Sequence, residues 1–298
     1  MRARCWQSLA SSASRITDTP SSGLRDHGAC LFGPRVRFPD AATDPSYTVP
    51  MTSNIVAVTA MTDRRIAEVV ARFPTEPRRG RPWSRSLHQR VLVACAALRT
   101  NLTMRELGAI FAISKSTVHR IVSTITPRLA ALVSTHMPDD RRESWVVDGT
   151  PIPTRDHGCA VKWKNYRWSC NAQILIRRRD PWIIATTAGG PGNRNDPLHY
   201  RGSDIERLFR RHGRVLADGG YRGVTELVTP VFRHNRIVRD RRWRRHRRRR
   251  ARVEHAIGRL KNWRILRDRR RRGCYLADTL NAVAFLHNLR LDELRDSS

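Results

Sequence analysis

The sequence predicts a mixed α/β protein in which a small all-helical domain precedes a domain of alternating strands and helices. Between residues 51 and 140 the apolar residues recur at helical spacing. From residue 141 onwards, short runs rich in β-branched and aromatic residues end in turn residues or acids. A chain of 298 residues, 40% of them hydrophobic, is long enough to bury a sizeable core. We therefore expect a leader at 1–50, a helical domain at 51–140 and an α/β domain at 141–298.

The leader differs from the rest of the chain in composition. Residues 1–50 are rich in Ser, Thr, Pro, Gly and Asp and show no sustained periodicity. Such a segment buries too little apolar surface to fold by itself. Met51 stands where the patterned sequence begins, so the leader is either flexible or the product of a translation start assigned too early; a transit peptide is a third interpretation. A chain that begins at Met51 is expected to fold and function like the full one.

The helical domain contains a predicted helix-turn-helix. Apolar helices are expected at 61–73 and 86–100. Thr103 and Glu106 then form a capping box that opens a short helix, and Ser114 caps the next one after a tight connection. This second helix has apolar residues at helical spacing and polar residues at its start, the end that enters the major groove in such motifs. The candidate DNA contacts there are Lys115, Ser116, Thr117, His119 and Arg120.

An ordinary helical hairpin with a solvated face is the alternative to the helix-turn-helix interpretation.

The α/β domain follows, and each of its elements is predicted from local patterning. A strand is expected at 145–147, a β-hairpin at 171–188, a helix at 203–213 opened by a capping box, a strand at 214–217, an amphipathic helix at 247–266 and a last helix at 276–289.

The charge balance indicates a polyanionic partner. Lys and Arg number 57 against 26 Asp and Glu, which gives a net charge of +31. Nucleic acid is the obvious partner of so basic a protein. A ribosomal-type or histone-like protein is a weaker interpretation, because such proteins are usually much shorter. An anionic membrane surface is also a weaker candidate partner, because the sequence contains no long basic amphipathic helix that stands alone. Six scattered cysteines without a CxxC pair argue against a zinc ribbon or a disulfide framework, so a cytoplasmic location is expected.

Three carboxylates are the candidate catalytic groups. Asp148 and Asp218 each follow a short β run, so they are expected to converge at one edge of the sheet. Glu254 lies on the arginine-rich helix, with Lys261 on the same face. Three carboxylates can hold two Mg²⁺ (or Mn²⁺) ions, which prefer oxygen ligands and support phosphodiester cleavage when ~3.5–4 Å apart. Taken singly, each acid is also explained as a turn former or an ion-pair partner.

These motifs resemble those of the DDE transposases of bacterial insertion sequences, in the branch related to Harbinger-type transposases. The resemblance lies in "WVVDGTPIP" around Asp148, "VLADGGYRG" around Asp218 and "RRRRARVEHAIGRLKNWRIL" around Glu254. Asp148 and Asp218 are 70 positions apart, and Asp218 and Glu254 are 36 apart, a spacing typical of the group. The predicted helix-turn-helix is similar to the DNA-binding module of the group.

The resemblance implies a ribonuclease-H-like fold in which Asp148, Asp218 and Glu254 form the catalytic, metal-binding triad. It further implies cleavage of element ends at terminal inverted repeats and strand transfer into target DNA, by a homodimer in the bacterial cytoplasm associated with the nucleoid. Arg247, Arg250 and Lys261 are further candidate DNA contacts. Arg250 and Lys261 match positions that some relatives share, and Arg247 stands where those relatives carry a Tyr. Asp196 matches a common family acid to which we assign no catalytic role.

Two other functions remain open at this point. A domesticated or decayed transposase would be a non-enzymatic, sequence-specific DNA-binding protein, although all three acids are present here. A general nuclease of the same fold would cut DNA without a preference for element ends.

Overall fold

The computed structural model describes residues 53–74, 82–133, 143–158, 160–162, 168–191, 203–212, 215–271 and 275–296. The interpretations of the leader at 1–50 and of Asp196 lie outside these ranges. Residues 49–298 form one compact unit. None of the helices within the described ranges is both long and apolar enough to cross a membrane.

Within the described ranges, five α-helices precede the sheet: α1 (Ser53–Thr59), α2 (Asp63–Ala71), α3 (Leu87–Thr100), α4 (Met104–Ile110) and α5 (Lys115–Ala131). The predicted capping box of α4 is present, because the Thr103 hydroxyl accepts from the Glu106 amide and the Glu106 carboxylate accepts from the Thr103 amide. Ser114 caps α5 as predicted. Helix α1 was not predicted from the sequence. The helix-turn-helix prediction is thus confirmed in its local structure.

A six-stranded mixed sheet forms the centre of the α/β part. Its strands are β1 (Trp145–Pro153), β2 (Val161–Lys162), β3 (Trp168–Arg177), β4 (Ile183–Pro191), β5 (Val215–Leu216) and β6 (Leu227–Val228). Strand β3 pairs antiparallel with β1 on one side and with β2 and β4 on the other. Strands β5 and β6 continue the sheet beyond β1, and both of these pairings are parallel.

The remaining described elements flank this sheet. They are α6 (Asp204–His212), the strands β7 (Phe232–Arg233) and β8 (Arg236–Ile237), and the helices α7 (Arg241–Leu260) and α8 (Leu276–Asp296). The β7–β8 hairpin was not predicted. Its two-residue turn is His234–Asn235, both with positive φ, as the right-handed twist of a hairpin favours.

Strand β1 is longer than predicted, which corrects the expectation that Asp148 follows the strand. Pairing with β3 extends from Trp145 to Pro153, so Asp148 lies within β1. The parallel pairing with β5, in contrast, covers only Trp145 and Val146. Asp148 is therefore paired with β3 on one edge of β1, and on the other edge it lies two residues beyond the last pair with β5.

Helix α8 joins the two parts of the chain. It packs against both α5 and β4, and most of its residues from Leu276 to Leu291 are buried. Asn288 anchors it to the sheet, because its side-chain amide accepts from the Ile183 amide and donates to the Ile183 carbonyl, both at 2.8 Å. One hydrophobic cluster contains residues of α3, α5, the sheet, α7 and α8. The helix-turn-helix region and the sheet thus share a core.

Candidate active site and DNA interface

Asp148 lies on β1, and Asp218 follows the neighbouring strand β5 by two residues. In the parallel register of β1 and β5, Trp145 is paired with Val215 and Val146 with Leu216. Continued for two positions along each chain, this register would bring Asp148 opposite Asp218. Adjacent strands are ~4.8 Å apart, and residues two positions apart along a strand lie on the same face. Both aspartates therefore lie on the face of Val146, which packs in the same cluster as Val253 and Ala256 of α7.

Asp218 lies two residues after β5 and caps the turn that follows. Its Oδ1 accepts a hydrogen bond from the Gly220 amide at 2.8 Å, which closes a 3₁₀ turn at Gly219–Tyr221. A side chain at Gly219 would come within 3.0 Å of the Phe232 ring of the β7–β8 hairpin. The pair of glycines thus allows the turn to close and the hairpin to pack directly beside Asp218.

Glu254 is carried on α7. Asp240 caps the helix by accepting from the Trp243 amide at 2.7 Å. Val253, Ala256 and Leu260 are buried, and α7 packs on β1 with this face. Glu254 adjoins the buried stripe, but its side chain is 55% exposed.

Arg250 connects two of the three carboxylates. Its Nη1 lies 2.8 Å from Asp148 Oδ2, and its Nη2 donates to Glu254 Oε1 one helical turn away. The other Asp148 oxygen, Oδ1, accepts from the Gly149 amide at 3.0 Å. The arginine side chain is 20% exposed and that of Asp148 is 15% exposed, so this ion pair is shielded from solvent.

The three carboxylates fit Mg²⁺ or Mn²⁺ in chemical type, since both are hard ions that prefer oxygen ligands. Within the described ranges, no three His, Cys, Asp or Glu side chains lie close enough, in the arrangement seen, to hold one ion. The guanidinium of Arg250 binds an oxygen of Asp148 and an oxygen of Glu254. The donor set is therefore suitable in chemical type, and two of its three carboxylates are paired with the same arginine.

The turn of the helix-turn-helix is tightly packed. Ala112 has a left-handed backbone, with φ of 51°. The Ile113 amide donates to the Gly108 carbonyl at 2.9 Å. A Cβ at Gly108 would come within 2.6 Å of the Ile113 carbonyl oxygen. Gly108 therefore sets the angle between α4 and α5.

The predicted DNA contacts of α5 are on an accessible surface. Lys115, Ser116, His119 and Arg120 are exposed, and Thr117 is half-buried. The Ser114 hydroxyl lies 2.9 Å from those of both Ser116 and Thr117, which orders the polar start of the helix.

Trp83 supports this surface from the side. Its ring lies between two guanidinium groups, those of Arg90 at 4.8 Å and Arg120 at 4.9 Å from the ring centroid. Arg90 is buried whereas Arg120 is exposed, so the stack orients Arg120 on the outer face of α5.

Comparison with known proteins decides the family. Residues 86–135 match the model of the helix-turn-helix of DDE superfamily endonuclease, and residues 147–288 match that of DDE superfamily endonuclease. A Streptomyces albus G protein described as the putative transposase for insertion sequence element IS112 is 36% identical over 259 residues, which cover 84% of this chain and 97% of the relative. This chain belongs to the DDE superfamily endonucleases. The predicted resemblance is confirmed at that level.

Among solved structures, the crystal structure of a pre-cleavage Mos1 transpososome matches 75% of this chain and 82% of that chain, with 10% identity. Its TM-score of 0.22 is too low to support any conclusion about this endonuclease.

The two remaining predicted DNA contacts of the endonuclease differ in environment. Arg247 is exposed, with its guanidinium 5.6 Å from the centroid of the Trp243 ring. Lys261 is half-buried at the end of α7; burial, together with repulsion from Arg267, lowers the pKa of its ammonium group. Arg247 thus lies on the open side of α7, and Lys261 is held against the protein.

Sequence reasoning missed two features of this endonuclease. Arg250 was predicted as a DNA contact, and its ion pairs with Asp148 and Glu254 were not foreseen, although its i, i+4 spacing to Glu254 is a signal for one of them. The β7–β8 hairpin was also missed. The dipeptide His234–Asn235 between Phe232 and Ile237 is its signal, because Asn tolerates positive φ.

Proposed function

We propose that this DDE superfamily endonuclease is the transposase of an insertion sequence, which cuts the ends of its element and transfers the freed 3′ ends into target DNA. The observation that carries the proposal is that Arg250 binds both Asp148 and Glu254, on the strand and the helix that adjoin β5. Asp218 follows β5 by two residues. The family matches and the relative associated with an insertion sequence support the same activity.

The order of strands supports a ribonuclease-H-like catalytic domain. Three antiparallel strands, β4, β3 and β1, are followed by the parallel strands β5 and β6. In this proposal Asp148 is on the first strand, Asp218 follows the strand paired in parallel with it, and Glu254 is on a later helix. The 36 positions between Asp218 and Glu254 favour the Harbinger-related branch of the family.

Asp148, Asp218 and Glu254 would hold two Mg²⁺ or Mn²⁺ ions. When bound, such ions activate a water molecule and stabilise the leaving oxygen of a cleaved phosphodiester. The role of the chain is to fix the ligands. The pairing of β1 with β5 supports two neighbouring aspartates, and the buried stripe of α7, which packs on β1, supports the position of Glu254. Exposed arginines around the site balance the charge of the DNA backbone.

The two DNA-binding surfaces have different tasks in this proposal. The α5 surface of Lys115, Ser116, Thr117, His119 and Arg120 recognises the terminal inverted repeat through the major groove. Arg247, Arg250 and Lys261 contact backbone phosphates near the cleaved end. Because two ends are joined in transposition, we propose that a homodimer acts, in the bacterial cytoplasm and at the nucleoid.

The test of the site is Asp148→Asn, which removes a ligand charge at almost constant volume. The variant should bind end DNA like the wild type but lose strand cleavage in Mg²⁺ and Mn²⁺, measured on a labelled duplex that carries the element end. The matched control is Asp240→Asn, because Asn is also a good N-cap and this variant should still cut. Normal cleavage by Asp148→Asn would disprove the assignment of the triad.

The same assay separates the other two functions. A wild-type protein that binds the element end but cuts no DNA in either metal is a non-enzymatic regulator. One that cuts unrelated duplexes as readily as the end is a general nuclease.

A further inference from the structure

We infer that Arg250 is a built-in counterion of the active site, which holds Asp148 and Glu254 in place before metal binds and which the metal ions must displace. The inference rests on the metal site of the proposed function. It adds that Arg250 competes with the metal ions for the oxygens of Asp148 and Glu254. Arg250 thereby acts as a positioning residue for the carboxylates, and its predicted contact with DNA follows only once it has been released.

Arg250 uses both terminal nitrogens of its guanidinium. Nη1 donates a hydrogen bond to Asp148 Oδ2 at 2.8 Å, and Nη2 donates one to Glu254 Oε1. A guanidinium stays protonated at any physiological pH and presents its N–H groups as a planar fork. One side chain of α7 thus clamps a carboxylate of the sheet to a carboxylate of its own helix.

Metal ions compete directly with this clamp, because they need the same oxygens. Arg250 binds Oδ2 of Asp148, and the other oxygen, Oδ1, accepts from the Gly149 amide. A metal ion that bound Oδ2 would therefore compete with Arg250 for the same atom. An oxygen that accepts a charge-assisted hydrogen bond at 2.8 Å is poorly available for a bond to a cation. Metal binding therefore requires that the ion pairs of Arg250 break, and this requirement lowers the apparent affinity for the metal ion.

The position of Arg250 explains why it is singled out among the arginines of α7. It is half-buried one turn before Glu254, whereas Arg248 and Arg249 are exposed. Displaced from the carboxylates, its guanidinium would remain next to the phosphate that the metal ions bind, and a guanidinium pairs with phosphate in the same bidentate way. A single residue would thus exchange a carboxylate partner for a phosphate partner when metal and DNA arrive.

The experiment compares Arg250→Gln with Arg249→Gln, which makes the same change of charge on an exposed neighbour, in the full chain without DNA. Thermal unfolding in EDTA should show a lower Tm for Arg250→Gln than for the wild type and for Arg249→Gln, because the carboxylates then repel each other. Mn²⁺ binding, followed by the EPR signal of the free ion, should be tighter by roughly tenfold for Arg250→Gln alone, since no clamp has to open.

A second variant keeps the inference testable if Arg250→Gln does not fold. Arg250→Lys retains the charge, but its single ammonium cannot bridge both carboxylates in the same way, so Mn²⁺ affinity should lie between those of the wild type and the Gln variant. Unchanged or weaker Mn²⁺ binding by both Arg250 variants would overturn the inference while leaving the metal site intact. If neither the wild type nor any variant binds Mn²⁺, the metal site of the proposed function fails, and the competition with it.

Discussion

At the scale of single residues, the buried charge of Lys261 lowers the free energy of unfolding. The proposed contact with a DNA phosphate requires that charge. Its pKa is lowered by burial and by Arg267, which means that the folded state disfavours the charged ammonium. Lys261→Met, of similar length and apolar, should therefore unfold at a higher Tm than the wild type at pH 7 and bind end DNA more weakly. Binding that is unchanged would show that Lys261 does not reach a phosphate.

The pH dependence of that difference follows from linkage. A lysine whose folded pKa is below its unfolded value of 10.5 destabilises the fold fully below the folded pKa, and the penalty disappears as the pH rises towards 10.5. The Tm advantage of Lys261→Met should thus shrink between neutral and alkaline pH in differential scanning calorimetry. An advantage that stays constant would mean that it arises from packing rather than from charge.

At the scale of elements, the angle between α4 and α5 depends on Gly108. An added Cβ would meet the Ile113 carbonyl at 2.6 Å, and this neighbour is backbone that cannot rotate away. Gly108→Ala should lower the free energy of unfolding by about 1–3 kcal/mol, the usual cost of overpacking, and weaken binding to the element end.

Gly258→Ala is the matched control. It is in the interior of α7, and no atom lies within 4 Å of the place that an added Cβ would occupy. Alanine in a helix interior is favoured over glycine by roughly 0.5–1 kcal/mol, so this variant should be more stable than the wild type. Urea unfolding of both variants checks the prediction, and an equal, positive effect of the two would rule out a special role for Gly108.

Elements with strong local signals were predictable, and those defined by tertiary pairing were not. The caps at Thr103 and Ser114 satisfy backbone amides within four residues, so the sequence alone is enough to locate α4 and α5. The length of β1 depends instead on β3, which begins 15 residues after β1 ends. In the site, both aspartates were found because they adjoin β runs, whereas the bond from Arg250 to Asp148 joins residues 102 positions apart and has no local signal.

At the scale of the whole molecule, the proposed recognition helix α5 and the sheet that carries Asp148 share one hydrophobic core. Helix α8 packs on α5, which bears the predicted recognition surface, and on β4 of the catalytic sheet. Both surfaces are therefore held by one core rather than by a flexible linker. We expect the distance between the bound repeat and the cleaved phosphate to be set by this core.

The basic residues behind the net charge of +31 are proposed to serve two tasks, sequence recognition by α5 and non-specific binding of the DNA backbone by α7. Replacing the exposed α7 residues Arg244, Arg245, Arg248 and Arg249 with Gln should weaken binding to end DNA and to random DNA alike. Each phosphate contact contributes ~0.9 to the slope of log K against log salt concentration, so the slope should fall by up to about 3.6.

Lys115→Ala with Arg120→Ala should instead weaken binding to the element end more than to random DNA, because we propose that α5 reads base edges. Fluorescence anisotropy over a range of salt concentrations measures both, and equal losses on the two DNAs by the α5 variant would show that α5 does not read the repeat.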